Sequence, residues 1–171
     1  MSHTSEIVVF TGTEGNELVA DCHVPPEGKE HGAPVMLLHG GGQTRYAWGG
    51  AAYKIAEAGH RAYTIDQRGH GDSGWVKSRA YAFDDYAHDV LAIAKQIKDI
   101  TGKAPVVVGA SLGGICGLAA TRMGEPGLFS GLVLVDVTPH MDPDGVQRIQ
   151  GFMAERMHEG FATLAEAADA I

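Results

Sequence analysis

Cysteine is scarce in this chain: Cys22 and Cys116 are the only two among 171 residues. They stand far apart with no metal-ligand spacing, so neither a disulfide framework nor a metal site is expected, and two buried free thiols in a reducing, cytoplasmic compartment are the reading that remains. Positive charge is also short. Thirteen Lys and Arg against 21 Asp and Glu give a formal net charge of −8, the wrong sign for a phosphate-binding face, so no nucleic-acid partner is expected. Apolar runs stay far below the ~20 residues that span a bilayer. The polar start, Met1 to Glu6, lacks the apolar segment of a secretory signal, and no membrane partner is expected. Repeats and low-complexity segments are missing too. What the chain has is glycine, 24 residues of it, and 44% hydrophobic content, enough for a domain with a real core.

Short apolar runs alternate with helical patterns. Ile7 to Phe10 and Leu18 to Val24 read as two strands joined through Gly12 and Gly15. Val35 to Leu38, Arg61 to Asp66, Pro105 to Gly109 and Leu132 to Val137 read as four more. Between them the spacing predicts a helix over Ala47 to Ala58, one capped by Asp84 or Asp85 with Tyr86, Val90, Ile93, Ile97 and Ile100 on one face, and one over Leu112 to Met123. Strand–helix alternation implies an α/β fold: a mainly parallel sheet with helices on both faces. The uninterrupted runs Val106-Val107-Val108 and Leu132 to Val135 suit strands buried on both sides.

The stretch Gly109-x-Ser111-x-Gly113 falls between a buried strand and a helix. A serine there sits on a sharp, strained turn at the carboxyl edge of the sheet, and the flanking glycines admit close backbone neighbours. The helix N-terminus aims N–H groups at charge developing on a substrate oxygen. That pattern points to a nucleophile. His39-Gly40-Gly41-Gly42 ends another central strand, where a glycine lets a backbone N–H reach a reacting carbonyl. Gly41 and Leu112 are the candidate oxyanion-hole pair; a glycine-rich turn with no ligand is the competing reading. Gly40, Gly42, Trp48 and Met141 are the candidate substrate-binding residues, with core packing an equal explanation for Trp48, Met141 and Met153.

On His39-Gly40-Gly41-Gly42, on Asp66-Gln67-Arg68-Gly69-His70-Gly71-Asp72-Ser73, and on Gly109 to Gly114, in that order and spacing, the sequence resembles the α/β-hydrolase fold family. Within it the chain is similar to the smaller capped hydrolases: esterase-like enzymes, cofactor-free haloperoxidases and epoxide-hydrolase relatives. The resemblance implies a serine hydrolase that needs no cofactor and acts on an ester-type small molecule through an acyl-enzyme on Ser111. Family members that open epoxides carry aspartate at that position. The Asp66 to Ser73 loop is then structural, and His39 and His70 brace the loops rather than act as bases.

The resemblance places the triad acid after the sixth or seventh strand and the histidine after the eighth. Asp136 matches the earlier acid position, with a spare or structural carboxylate as its alternative. The commoner acid position and the histidine fall beyond Ile171. The expected organisation is a hydrolase core of six strands over residues 1–139, the N-terminal part of the fold, followed by the start of a helical cap over 140–171. There Pro143 opens a helix with Val146, Ile149, Met153 and Met157 on one face. Thr163 to Glu166 is a capping box that opens another. A chain cut short of ~270 residues is the expectation, with the missing half or a second copy covering the edge of the sixth strand. The competing class is a non-catalytic, hydrolase-like binding module. Of the nine histidines, His140 alone lies in a loop after a central strand near the serine.

Overall fold

The glycine-punctuated apolar runs become one six-stranded sheet in a computed structural model that describes residues 5–140, 142–155 and 160–170. Its strands are β1 (Ser5–Thr11), β2 (Glu17–His23), β3 (Val35–Leu38), β4 (Ala62–Ile65), β5 (Val106–Ala110) and β6 (Gly131–Val135), in the spatial order β1-β2-β4-β3-β5-β6. β1 and β2 form an antiparallel hairpin, and β2 also pairs antiparallel with β4. From β4 through β3 and β5 to β6 every pairing is parallel. The sheet is thus mainly parallel, as expected.

Successive strand residues face opposite sides of a sheet, and here each side has its own core. Met36 and Leu38 of β3, Tyr63 and Ile65 of β4 and Val107 of β5 pack with α2 (Phe83–Thr101) and α3 (Leu112–Met123). Val35 and Leu37, with Ala62, Val106 and Val108, face the other way onto Ala52 and Ile55 of α1 (Gly49–Glu57). Helices therefore cover both faces. A 3-10 turn, Arg45–Trp48, precedes α1, so the helix expected from Ala47 starts later, at Gly49-Gly50. The cap of α2 also differs from expectation. Its N-cap is Ala82, and Asp85 sits inside the first turn, where Oδ2 accepts the Ala82 N–H at 2.8 Å; an acid there also meets the positive end of the helix. Gly102, with φ of 71°, closes the helix as the sequence suggests.

Two arginines are buried beneath the sheet's carboxyl edge. Arg45 bonds Asp66, Asp72 at 2.7 Å and Asp21 at 3.1 Å. Arg68 grips Asp89 of α2 through Nε at 2.7 Å and Nη2 at 2.8 Å, and also reaches Glu14 and the Ala80 carbonyl. The following loop exposes Trp75, whose ring lies edge-on to Tyr81. β6 stands at the edge of the sheet, with Val133 47% and Val135 36% exposed.

The chain divides into two units, residues 1–137 and 138–171. The second holds α4 (Pro143–Glu155) and α5 (Leu164–Asp169). Thr163 caps α5 by accepting the Glu166 N–H at 3.1 Å, and Glu166 reaches back to the Ala162 N–H at 3.0 Å. Among the described residues no helix is long and apolar enough to cross a membrane.

Candidate active site

β5 opens with three β-branched valines, of which Val107 is buried and Val106 and Val108 half-buried, and α3 begins two residues after it ends. The chain reverses between them on Ser111, which has φ of 44° and ψ of −111°. A non-glycine residue there costs on the order of 1–3 kcal/mol and persists only where its surroundings enforce it. The surroundings are explicit. The Ser111 N–H donates to Val135 O of β6 at 3.2 Å, and Ser111 O accepts from Ile115 N–H at 2.9 Å. A Cβ on Gly109 would lie 2.4 Å from the Gly113 backbone, and one on Gly113 would lie 2.5 Å from Leu38 O. Both glycines are therefore required by close packing of α3 onto β5 and β3. The serine itself is exposed.

The His39–Gly42 loop lies against it. A Cβ built on Gly40 would be 3.6 Å from Ser111 Cβ, and His39 O accepts the Gly113 N–H at 3.2 Å. A turn closed by Gln43 N–H to Gly40 O at 3.1 Å carries Gly42 at φ of 74°, a conformation cheap only for glycine. Neither the Gly41 N–H nor the Leu112 N–H, the first amide of α3, has an acceptor among the described residues. Two donors without an acceptor among the described residues thus belong to the glycine loop and the α3 start that adjoin the exposed serine.

The histidines around the serine are committed. His39 is fully buried; its Nδ1 donates to Gly40 O at 2.8 Å and its Nε2 accepts the Gln67 N–H at 3.1 Å. Burial pushes its pKa below the ordinary 6.5, with the Gly40 carbonyl opposing that shift. His70 Nδ1 donates to Arg68 O at 3.0 Å, and its Nε2 accepts the Gly42 N–H at 3.2 Å. Neither ring nitrogen pair is left to take a proton from Ser111. Asp66 accepts from Arg45 and from the Asp72 N–H, while Ser73 Oγ donates to Asp66 O and accepts the Val19 N–H. The Asp66 to Ser73 loop is thereby knotted to the strand ends beneath it.

Asp136 follows β6, one residue past the last sheet pair, Ala110 with Val135. It is exposed and, like Ser111, left-handed, with φ of 54°. Trp48 packs into the α1-side core with Val35 and Leu37, a core-packing position. Met141 and Met157 lie outside the described residues, as does the side chain of Met153. His140 belongs to the second unit and is exposed. Sequence reasoning missed Gln43, Gln67 and Arg45, whose side chains hold this loop system; only the position of Gln43, directly after the glycines, could have singled one out. Cys116, a buried residue of α3, has its thiol pushed up to about 12 by burial and is unsuited to act as a nucleophile.

A family model described as alpha/beta hydrolase fold matches residues 33–170. An esterase of Mycobacterium tuberculosis is 36% identical over 105 residues, 61% of this chain and 33% of that protein. Among solved structures, an alpha/beta hydrolase from Novosphingobium aromaticivorans aligns with a TM-score of 0.73 at 26% identity, over 88% of this chain and 50% of that one. A thermophilic esterase from Thermogutta terrifontis aligns with a TM-score of 0.69 at 25% identity, over 95% of this chain and 57% of that one. The chain spans about a third of the length of the curated relative and 50–57% of the two solved chains.

Proposed function

This chain belongs to the α/β-hydrolase fold family, and on that premise we propose that it carries the nucleophile and oxyanion hole of a serine hydrolase acting on ester-type small molecules. The observation that carries the reading is the exposed, left-handed Ser111 beside two amides without acceptors. Ser111 Oγ attacks the ester carbonyl carbon. The carbonyl oxygen gains the negative charge and accepts from the Gly41 and Leu112 N–H groups, which are already in place when that charge appears. The alcohol leaves with a proton, and water then releases the acid from the acyl-serine. The proton needs a base. His39 and His70 have both nitrogens bonded, so neither serves; the resemblance assigns the role to a histidine oriented by an acid, for which Asp136 is the candidate. Residues 140–171 correspond in sequence position to the start of the family's helical cap.

Those committed histidines also favour the second reading, in which this chain by itself is a hydrolase-like binding module. A fluorophosphonate ester separates the two. Slow phosphonylation of Ser111 in the native chain, absent in Ser111→Ala, is expected, together with little turnover of a p-nitrophenyl ester. No adduct on Ser111 overturns the hydrolase reading. Fast turnover lost in Ser111→Ala would place a working base within the 171 residues.

A further inference from the structure

We propose that Gln43 and His70 are positioning residues that fix the oxyanion loop by occupying the amides on either side of Gly41. Three consecutive glycines leave a backbone with no steric preference for one shape. Each presents an N–H, and any of the three could turn toward Ser111. Two are taken by side chains: the Gly40 N–H donates to Gln43 Oε1 at 3.0 Å, and the Gly42 N–H donates to His70 Nε2 at 3.2 Å. The one between them has no acceptor among the described residues. The clamp selects the Gly41 amide by removing its neighbours from competition.

Each half of the clamp is anchored. Gln43 is fixed through its own N–H to Gly40 O, and a Cβ on Gly40 would press to 3.1 Å from Gln43 Oε1. His70 can accept at Nε2 only as the neutral ring with its proton on Nδ1, and that proton is held by Arg68 O at 3.0 Å. Arg68 in turn is locked to Asp89 on α2. A single line of hydrogen bonds therefore runs from the buried Arg68–Asp89 pair through His70 to the loop beside the serine. The His70 ring also lies 4.9 Å from His39, whose carbonyl holds the start of α3. The clamp itself stands on this geometry; its effect on Ser111 rests on the serine-hydrolase reading.

The test uses the full chain labelled with nitrogen-15. A scalar coupling between Gly42 N and His70 Nε2 should report the N–H···N bond directly. His70→Phe keeps a ring and removes the acceptor; the Gly42 amide should then exchange roughly tenfold faster, the loss of one hydrogen bond, and the Gly41 signal should shift with it. His70→Gln, whose amide reaches the same point, should restore protection. Phosphonylation of Ser111 should slow about tenfold in His70→Phe and recover in His70→Gln, because the donor is misplaced rather than deleted. Gln43→Met makes the same test at the Gly40 amide and decides the matter if His70→Phe does not fold. A Gly42 amide unmoved in His70→Phe, or amides that respond while Ser111 labels at the native rate, overturns the proposal. If native Ser111 takes no label, the hydrolase reading fails and the amide signals alone judge the clamp.

Discussion

On one side of the sheet, β2, β4 and the loops above them are tied by buried ions; on the other, β6 is tied to β5 by backbone hydrogen bonds and leaves Val133 and Val135 in solvent. Ser111 stands between the two sides, its N–H on β6 and its neighbouring loop on the β3–β4 side. The ionic half fixes where the glycine loop sits. The apolar half fixes the serine only through Val135 O. Burying ions is rarely the cheapest way to stabilise a fold, so their concentration under the His39 and Asp66 loops assigns them to holding geometry.

The contrast can be broken most severely from the ionic side. Arg45→Met leaves Asp66 buried without its cation, and denaturant unfolding should show a loss of about 3–5 kcal/mol, the usual cost of orphaning a buried charge. A smaller effect comes from pH. Because the His39 pKa is lowered in the folded state, the unfolded chain binds more protons once the pH drops below about 6.5. Stability should therefore fall with decreasing pH from there until the lowered native value is passed, by at most about 1.4 kcal/mol per pH unit. The slope should shrink in His39→Gln, and an unchanged slope would remove His39 as its source. Least of all should the β6 side respond. Val133→Lys should move stability by no more than about 0.5 kcal/mol while lowering self-association in sedimentation velocity, since a charge on an open edge blocks strand pairing. A native chain that stays a monodisperse monomer at high concentration would blunt this half of the comparison.

The sequence announces the parts that depend on local rules. The β-branched run 106–108, the glycines around Ser111 and the stripe Tyr86, Val90, Ile93 and Ile97 are periodic or steric signals that land where they were read, whereas Ile100, read as the last member of that stripe, is exposed in the final turn of α2. What it hides is pairing across distance. Nothing in the neighbourhood of Arg45 marks Asp21, Asp66 and Asp72 as its partners, and nothing near His70 marks Gly42. Asp85 illustrates a subtler miss: an acid near a helix start serves equally as cap or as first-turn residue, and the choice depends on where the preceding loop releases the chain. Trp48 shows the same limit, since an apolar residue next to a site loop reads alike whether it faces substrate or core.

The two tryptophans differ in exposure: Trp48 is half-buried against the α1-side core, and Trp75 is 80% exposed on its loop. The protein therefore carries its own pair of fluorophores. A dissolved quencher such as acrylamide reaches Trp75 more readily than Trp48, so the less quenched fraction of the emission follows the packing against the α1-side core, while the readily quenched fraction follows the loop beyond Ser73. Loop motion and core opening can thus be watched separately in one cuvette, without a label.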